Sequence, residues 1–166
     1  MNRKIGINSG TAILIDSTYL LPVFGIEVIQ ISDEILLKLR RLALDKLITL
    51  YYSPVSFIEI TAKIARETIK KGSGPDPSDI ANTIRAIEET DYLKPIYPDA
   101  QAYALAYKMK LLGHRDMIDN ILYATASTRG AIFITIDESF KNFVQHHRIK
   151  GARVLSHYEF IEELEA

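Results

Sequence analysis

The stretch that most constrains how this chain folds runs from Arg115 to Phe140 and combines a helical pattern, a tight turn and a short apolar run. An apolar stripe at helical spacing comes first, formed by Ile118, Ile121, Leu122 and Thr125. Asp116, Asp119 and Tyr123 fall on the flank away from that stripe. Gly130 can end the helix, and residues 131–135 are typical of a strand buried on both faces, as in a parallel sheet.

Strand-like and helix-like segments also alternate along the rest of the chain. Strands are predicted at residues 11–16, 47–52, 92–98, 131–135 and 152–156, with residues 26–31 as a further extended candidate. Helices are predicted between them; Ser53 and Pro54 have the Ncap–N1 pattern of one, and residues 72–79 form a loop between two others. This alternation indicates a parallel α/β sheet with right-handed crossovers in a single domain, residues 1–166.

Acidic residues recur at one kind of position in this pattern. Asp16 and Asp137 end predicted strands, whereas Glu59, Asp116 and Asp119 lie in the first turns of predicted helices. In a parallel sheet the end of each strand and the start of the next helix meet at the same edge, where α/β proteins place their sites. The five carboxylates are therefore expected to converge.

Each acid also has a purely structural interpretation. Asp116 can be a helix N-cap with Asp119 at N3, Asp137 can cap the helix after it, Glu59 can pair with Lys63, and Asp16 can start a loop. Together they are harder to explain this way, because two carboxylates ~4 Å apart repel by roughly 4 kcal/mol at an effective dielectric constant of about 20. Such a group requires a counter-charge.

Composition narrows what that counter-charge can be. The chain has no cysteine, which excludes disulfides and thiolate sites and leaves Mg²⁺ or Mn²⁺ as the fitting cation for oxygen ligands. The net charge of −1 and the pI near 6.4 give no global attraction for nucleic acid. The N-terminal residues lack the apolar core of a signal peptide, and no apolar run could span a membrane, so a cytoplasmic protein without a membrane partner is expected.

Four motifs in this order resemble the PIN domain family of metal-dependent ribonucleases. They are ILIDST at residues 13–18, SFIEI at 56–60, DNILYATAS at 119–127 and TID at 135–137. The resemblance implies a flavodoxin-like α/β/α sandwich with a short parallel sheet of four to five strands flanked by helices. It also implies endonucleolytic cleavage of RNA by water activated on Mg²⁺ or Mn²⁺.

The resemblance assigns roles residue by residue. Asp16, Asp119 and Asp137 match the metal-binding acids; Glu59 matches an acid that either binds metal or orients the attacking water, and Asp116 is an additional acid one turn earlier. Ser17 and Thr135 match hydroxyls beside the first and last acids. Many small members are VapC-type toxins neutralised by an antitoxin protein, which makes an antitoxin an expected partner.

Two further expectations concern binding. The basic residues Arg115 and His114, with the stripe Lys63, Arg66 and Lys70, are candidates for positioning RNA, although such residues are also common on solvated faces. The helices that carry Leu36, Leu39, Tyr103 and Tyr107 have more apolar positions than one packing face needs, which predicts a homodimer.

Two other functions are compatible with the sequence. One is a catalytically silent PIN-like module that binds a partner or dimerises. The other is a haloacid-dehalogenase-like phosphatase, because Asp16 ends a strand as that family's nucleophile does. That family has a second Asp two residues later, where this chain has Thr18.

Overall fold

Five short parallel strands form the centre of the protein, which is described here by a computed structural model covering residues 7–166. They are β1 (Thr11–Ile15), β2 (Ile48–Tyr52), β3 (Leu93–Pro95), β4 (Ile132–Ile134) and β5 (Val154–Leu155). Their order in the sheet is β3-β2-β1-β4-β5, and β1 is central because Ile13 is in register with both Leu50 and Ile132. The predicted parallel α/β sheet of four to five strands is confirmed.

Within residues 7–166, seven α-helices and one 3₁₀ helix lie between the strands or follow the last of them. The 3₁₀ helix (Ser17–Phe24) follows β1, and the α-helices are α1 (Asp33–Leu44), α2 (Ser56–Lys71), α3 (Pro77–Glu88), α4 (Ala100–Leu111), α5 (Met117–Arg129), α6 (Glu138–His146) and α7 (His157–Glu165). None of the helices within residues 7–166 combines the length and the apolar composition needed to span a membrane.

Alternation along the strands distributes side chains between two apolar layers. Ile13 of β1 and Ile134 of β4 pack on the face covered by α1, α2 and α7, whereas Leu14 and Phe133 pack on the face covered by α4, α5 and α6. The period of two in a strand produces this division. The sheet is therefore a layer between two layers of helices, as predicted.

Helix α5 is more deeply buried than its apolar stripe predicts. Residues 120–126 are all buried, and Tyr123, on the flank away from the stripe, is fully inaccessible. The reason is that α4 covers one side of α5 while the sheet and Phe140 of α6 cover others. Gly130 ends the helix in the left-handed region, at φ 68°, as its position predicted.

Three local predictions need correction. Residues 26–31 form turns and not a strand; Ile31 is buried in the core without pairing to the sheet. Helix α2 begins at Ser56 and not directly after Ser53, since the Ser53 carbonyl accepts a turn hydrogen bond from Ser56 N–H. The loop before α3 ends at residue 76, because Asp76 and Asp79 form a capping box ahead of Pro77.

The predicted surplus of apolar surface is present on both helices, but on α1 it lies at Leu37 and Leu44, 59% and 45% exposed, and not at the residues named for the prediction. Leu39 is buried and Leu36 packs against the same core, so α1 contributes no surplus at these positions. Tyr103 and Tyr107 are 49% and 62% exposed.

The N-terminal segment that was predicted not to be a signal peptide includes residues 1–6. These residues lie outside the described part of the chain.

Candidate metal centre

Asp16 follows β1 directly and is held in place by neighbouring hydrogen-bond donors. Its side-chain oxygen accepts a hydrogen bond from Thr18 N–H at 2.7 Å, and the hydroxyls of Thr135 and Thr18 also hydrogen-bond to it. Its own N–H donates to the carbonyl of Ile134 at the end of β4. The side chain is thus fixed where two adjacent strands end, as the sheet-edge argument predicted.

Burial makes the charged form of Asp16 costly. Loss of solvent raises the pKa of Asp16 to about 6, a shift that the hydrogen bonds from Thr135 and Thr18 oppose and the charge of Glu59 increases. The donors orient the carboxylate without neutralising it.

Glu59, Asp116 and Asp119 form the tightest part of the site. One carboxylate oxygen from each lies within 4.8 Å of the other two. The first turn of α2 supplies Glu59, and the start of α5 supplies the two aspartates. The three acids therefore converge from two helices, as predicted.

Asp116 and Asp119 differ in what else they contact. Asp116 is the N-cap of α5, and its Oδ1 accepts hydrogen bonds from Ile118 N–H and Asp119 N–H at 2.9 and 3.2 Å. Within residues 7–166 the Asp119 carboxylate has neither a hydrogen bond nor an ion pair. The capping interpretation is thus confirmed for Asp116, whereas Asp119 at N3 has no capping contact that would explain its presence.

Asp137, like Asp116, is an exposed member of the group. It caps α6, with its Oδ1 accepting from Phe140 N–H at 3.0 Å, so its capping interpretation is also confirmed. Its own N–H donates to the Thr135 hydroxyl oxygen at 3.1 Å, which links it to the group that holds Asp16.

The electrostatics of Asp119 show that the other four acids all act on it. Burial and the charges of Asp116, Glu59, Asp16 and Asp137, in that order, raise the pKa of Asp119 to about 8. None of the five takes part in an ion pair in the described part of the chain, where the five ion pairs involve other residues. Glu59 in particular does not pair with Lys63.

The residues at this site fit a hard divalent cation. Three carboxylate oxygens at this spacing can share one ion, and Mg²⁺ and Mn²⁺ prefer such ligands. One oxygen of Glu59, Oε2, is buried and has no hydrogen-bond donor among the described residues. A buried acceptor without a donor is costly, and a cation would satisfy it.

The residues predicted to position substrate lie at different depths. Arg115 is exposed beside the acids, and its carbonyl accepts a hydrogen bond from Lys110. Ser17 and Thr135 are both buried; the Ser17 hydroxyl has no partner among residues 7–166, and Thr135 bonds to Asp16. For Thr135 the structure therefore indicates an orienting contact with an acid, and substrate contact stays a prediction.

Two residues of the site were missed by the sequence analysis. The sequence analysis considered Thr18 only because it stands where the phosphatase family has an Asp. In the structure its N–H donates a hydrogen bond to Asp16. Asn120 is fully buried beside Asp119 and bonds to His114 on the loop before α5. A polar residue within the apolar run after Asp119 was the signal that could have identified Asn120.

Comparison with known proteins gives one family and a set of similar folds. The family model described as PIN domain matches residues 13–144. Similar solved structures include VapBC2 from Rickettsia felis bound to a DNA fragment from their promoter, 14% identical with a TM-score of 0.60, covering 88% of this chain and 98% of that one. VapBC-1 from nontypeable Haemophilus influenzae is 16% identical with a TM-score of 0.54, covering 89% and 99%.

A third similar structure is FitAcB from Neisseria gonorrhoeae, 14% identical with a TM-score of 0.53, covering 88% of this chain and 98% of that one. At these identities the likeness concerns the fold. Comparison with curated protein sequences gave no match.

Proposed function

The chain belongs to the PIN domain family, and from that premise we propose that it is a metal-dependent endoribonuclease, the toxin of a toxin–antitoxin pair. The observation that carries the proposal is the set of four acids whose charges act on Asp119, with no basic side chain of residues 7–166 in an ion pair with any of them. A fold that gathers these carboxylates without a basic side chain is arranged to bind a metal ion.

Asp116 and Asp119 would hold the ion, with Glu59 close enough to join them and Asp16 and Asp137 completing the negative charge around it. When bound, Mg²⁺ or Mn²⁺ supplies a water of lowered pKa and offsets the charge that develops on a phosphodiester. Thr135 and Thr18 keep the Asp16 carboxylate in one orientation. Glu59, with its unpartnered oxygen, either binds the ion or accepts a proton from the attacking water.

The toxin assignment is supported by the fold. The likeness to solved VapBC proteins extends over almost the whole of each compared chain, and many small members of the family that the sequence motifs resemble are VapC-type toxins. We therefore propose an antitoxin protein as a partner and cytoplasmic RNA as the substrate.

A silent PIN-like binding module is the second candidate, and the phosphatase hypothesis has lost its basis with the family assignment. Purified protein incubated with RNA and Mn²⁺ separates enzyme from module. Cleavage should require the metal and be absent from an Asp16→Asn variant.

An Asp99→Asn variant is the matched control, because Asp99 caps α4 outside the acidic group, with its Oδ1 accepting a hydrogen bond from Ala102 N–H, and its ion pair with Arg129 is long, at 3.9 Å. It should cleave RNA at the wild-type rate. No cleavage by wild-type protein over a broad set of RNAs would favour the silent module.

A further inference from the structure

A row of four aromatic side chains leads away from the acidic group along α6. We call His114, Phe143, His147 and His146 the aromatic row. Ring centroids are 5.0 Å apart for His114 and Phe143, 4.6 Å for Phe143 and His147, and 4.9 Å for His147 and His146. The first two side chains are half-buried, and the two histidines at the end of α6 are exposed.

The first ring of the row is held in one orientation. His114 Nδ1 lies 2.7 Å from Asn120 Oδ1, and Asn120 Nδ2 donates to the His114 carbonyl at 3.1 Å. Because the amide oxygen only accepts, Nδ1 carries the hydrogen. Nothing in residues 7–166 hydrogen-bonds to Nε2, which leaves that edge of the ring open to a ligand.

The row begins at the acidic group. His114 is two residues before Asp116, and its ring contacts Phe140 at 5.0 Å; the N–H of Phe140 donates to Asp137. His114 therefore lies between the starts of the two helices that carry Asp116 and Asp137. A strand of nucleic acid with a phosphate at the acids can extend directly onto the row.

Positive charge accompanies the row. Arg115 follows His114, and Arg148 and Lys150 follow His147; all three are exposed, and none is in an ion pair within the described residues. Arg148 has a left-handed backbone, φ 50°, at the turn that ends α6. In a protein with a net charge of −1, this is a local concentration of unpaired cations beside aromatic surface.

We propose that the aromatic row binds unpaired RNA, with bases stacked on His147 and its neighbours and phosphates against Arg115, Arg148 and Lys150. The inference rests on the proposed ribonuclease function and names where its substrate lies. Only unpaired bases offer a face for stacking, and every base has one, so the surface selects single-stranded regions with little sequence preference.

Binding is measured in EDTA, where cleavage cannot occur, with an unpaired RNA of about 12 nucleotides that carries one 2-aminopurine. Stacking quenches the fluorescence of this base. We expect His147→Ala to weaken binding roughly tenfold and to relieve quenching, and His147→Phe to restore both. His146→Ala, the second exposed ring, should act in the same direction as His147→Ala.

Two controls separate stacking from charge and from general surface effects. Arg148→Gln should lower the salt dependence of binding by about one counterion, whereas His147→Ala should leave it unchanged. Tyr97→Ala removes an exposed aromatic ring outside the row and should have no effect. The same RNA annealed to its complement should bind more weakly than the single strand.

Unchanged affinity in both alanine variants, failure of His147→Phe to restore quenching, or duplex binding as tight as single-strand binding would each overturn the inference. So would the absence of RNA binding. Cleavage in Mn²⁺ is measured separately. If the protein cleaves RNA but its binding does not depend on the aromatic row, the proposed role of the row is refuted and the nuclease function is not. If binding depends on the row but no RNA is cleaved, the nuclease function is refuted and the role of the row is not.

Discussion

Individual carboxylates in this protein have two kinds of contact at once. Asp116 and Asp137 each cap a helix through one oxygen and still contribute negative charge at Asp119. Capping and metal binding are therefore compatible at these two positions, and only a residue without a cap contact can separate the two interpretations. Asp119 is that residue.

Asp119→Asn should stabilise the metal-free protein. Near neutral pH the unfolded chain ionises Asp119, whereas the folded protein must either protonate it or keep a charge that four neighbours repel. Asn avoids this cost, and because one pKa unit corresponds to about 1.4 kcal/mol, we expect a gain of roughly 1–3 kcal/mol in EDTA near neutral pH. Thermal melting with and without Mn²⁺ measures it, and the variant should also lose most of its response to the metal.

The matched controls are variants of aspartates that cap helices. Asp99→Asn, outside the acidic group, should be neutral or slightly destabilising, because Asn is nearly as good an N-cap as Asp. Asp116→Asn should give a weaker version of the Asp119 effect. A lower melting temperature for Asp119→Asn in EDTA, with RNA cleavage retained, would contradict the metal-site interpretation.

The stability of the metal-free protein should fall as pH rises. The pKa of Asp119 is raised from 3.8 to about 8, so the folded state binds this proton more tightly than the unfolded state. The stabilising contribution is complete below about pH 4 and is lost as pH rises towards 8. Asp16, with its pKa raised to about 6, acts in the same direction over a narrower range.

Other groups titrate over this range, and His157 opposes the trend because burial lowers its pKa. We therefore compare the free energies of unfolding of wild type and Asp119→Asn, measured with urea in EDTA at several pH values. The advantage of the variant should grow with pH and vanish near pH 4. An advantage independent of pH would argue against a buried, shared charge.

At the scale of elements, the strand and helix alternation and the acids at their junctions were predictable, because both follow from local periodicity. The absence of a strand at residues 26–31 was not predictable in this way. Their β-branched residues favour a strand, but both sides of β1 are already paired, and Ile31 instead enters the core from a turn. The contact between Thr18 N–H and Asp16 is local, two residues apart, and the polarity of Asn120 was a usable signal. The bond from Asn120 to His114 was out of reach, because it depends on the path of the loop before α5.

The 3₁₀ helix after Asp16 is tied to the C-terminal helix by one buried hydrogen bond. Tyr19 OH lies 2.8 Å from His157 Nδ1, and His157 Nε2 is buried without a partner in the described structure. Tyr19→Phe would leave both ring nitrogens unpaired and should destabilise the fold by about 1–3 kcal/mol.

Urea unfolding measures the loss, and hydrogen exchange should show faster opening of α7 in the variant. Tyr158→Phe is the control, because Tyr158 is exposed and its hydroxyl bond to the Gln30 carbonyl is long, at 3.3 Å. Equal stability of wild type and Tyr19→Phe would mean that α7 is held by packing alone.

For the whole molecule, one exposed apolar stripe supports a homodimer. Tyr103, Tyr107 and Leu111 follow one another at intervals of four residues on α4 and are 49%, 62% and 69% exposed. Light scattering at tens of micromolar protein should give the mass of a dimer, and Tyr107→Glu should give a monomer. Ile29→Glu, at an exposed position outside α4, should leave the dimer intact; a monomeric wild type would remove the hypothesis.

Metal binding should also be visible in the stability of the whole protein. A ligand that binds only the folded state contributes about 2.7 kcal/mol at a hundred times its Kd. Mn²⁺ and Mg²⁺ should therefore raise the melting temperature in a concentration-dependent way. No change at roughly ten millimolar Mn²⁺ would contradict the acidic site.

The central position of β1 has a consequence for the timing of synthesis. Asp16 is made early, but its orienting hydroxyl, on Thr135, and its strand partner β4 come from the far end of the chain. At a synthesis rate of 5–20 residues per second, roughly ten seconds separate the two. Throughout that interval a ribosome carries a nascent chain whose acids have not yet been brought together, so the proposed nuclease activity cannot arise during synthesis until β4 and Thr135 have been made.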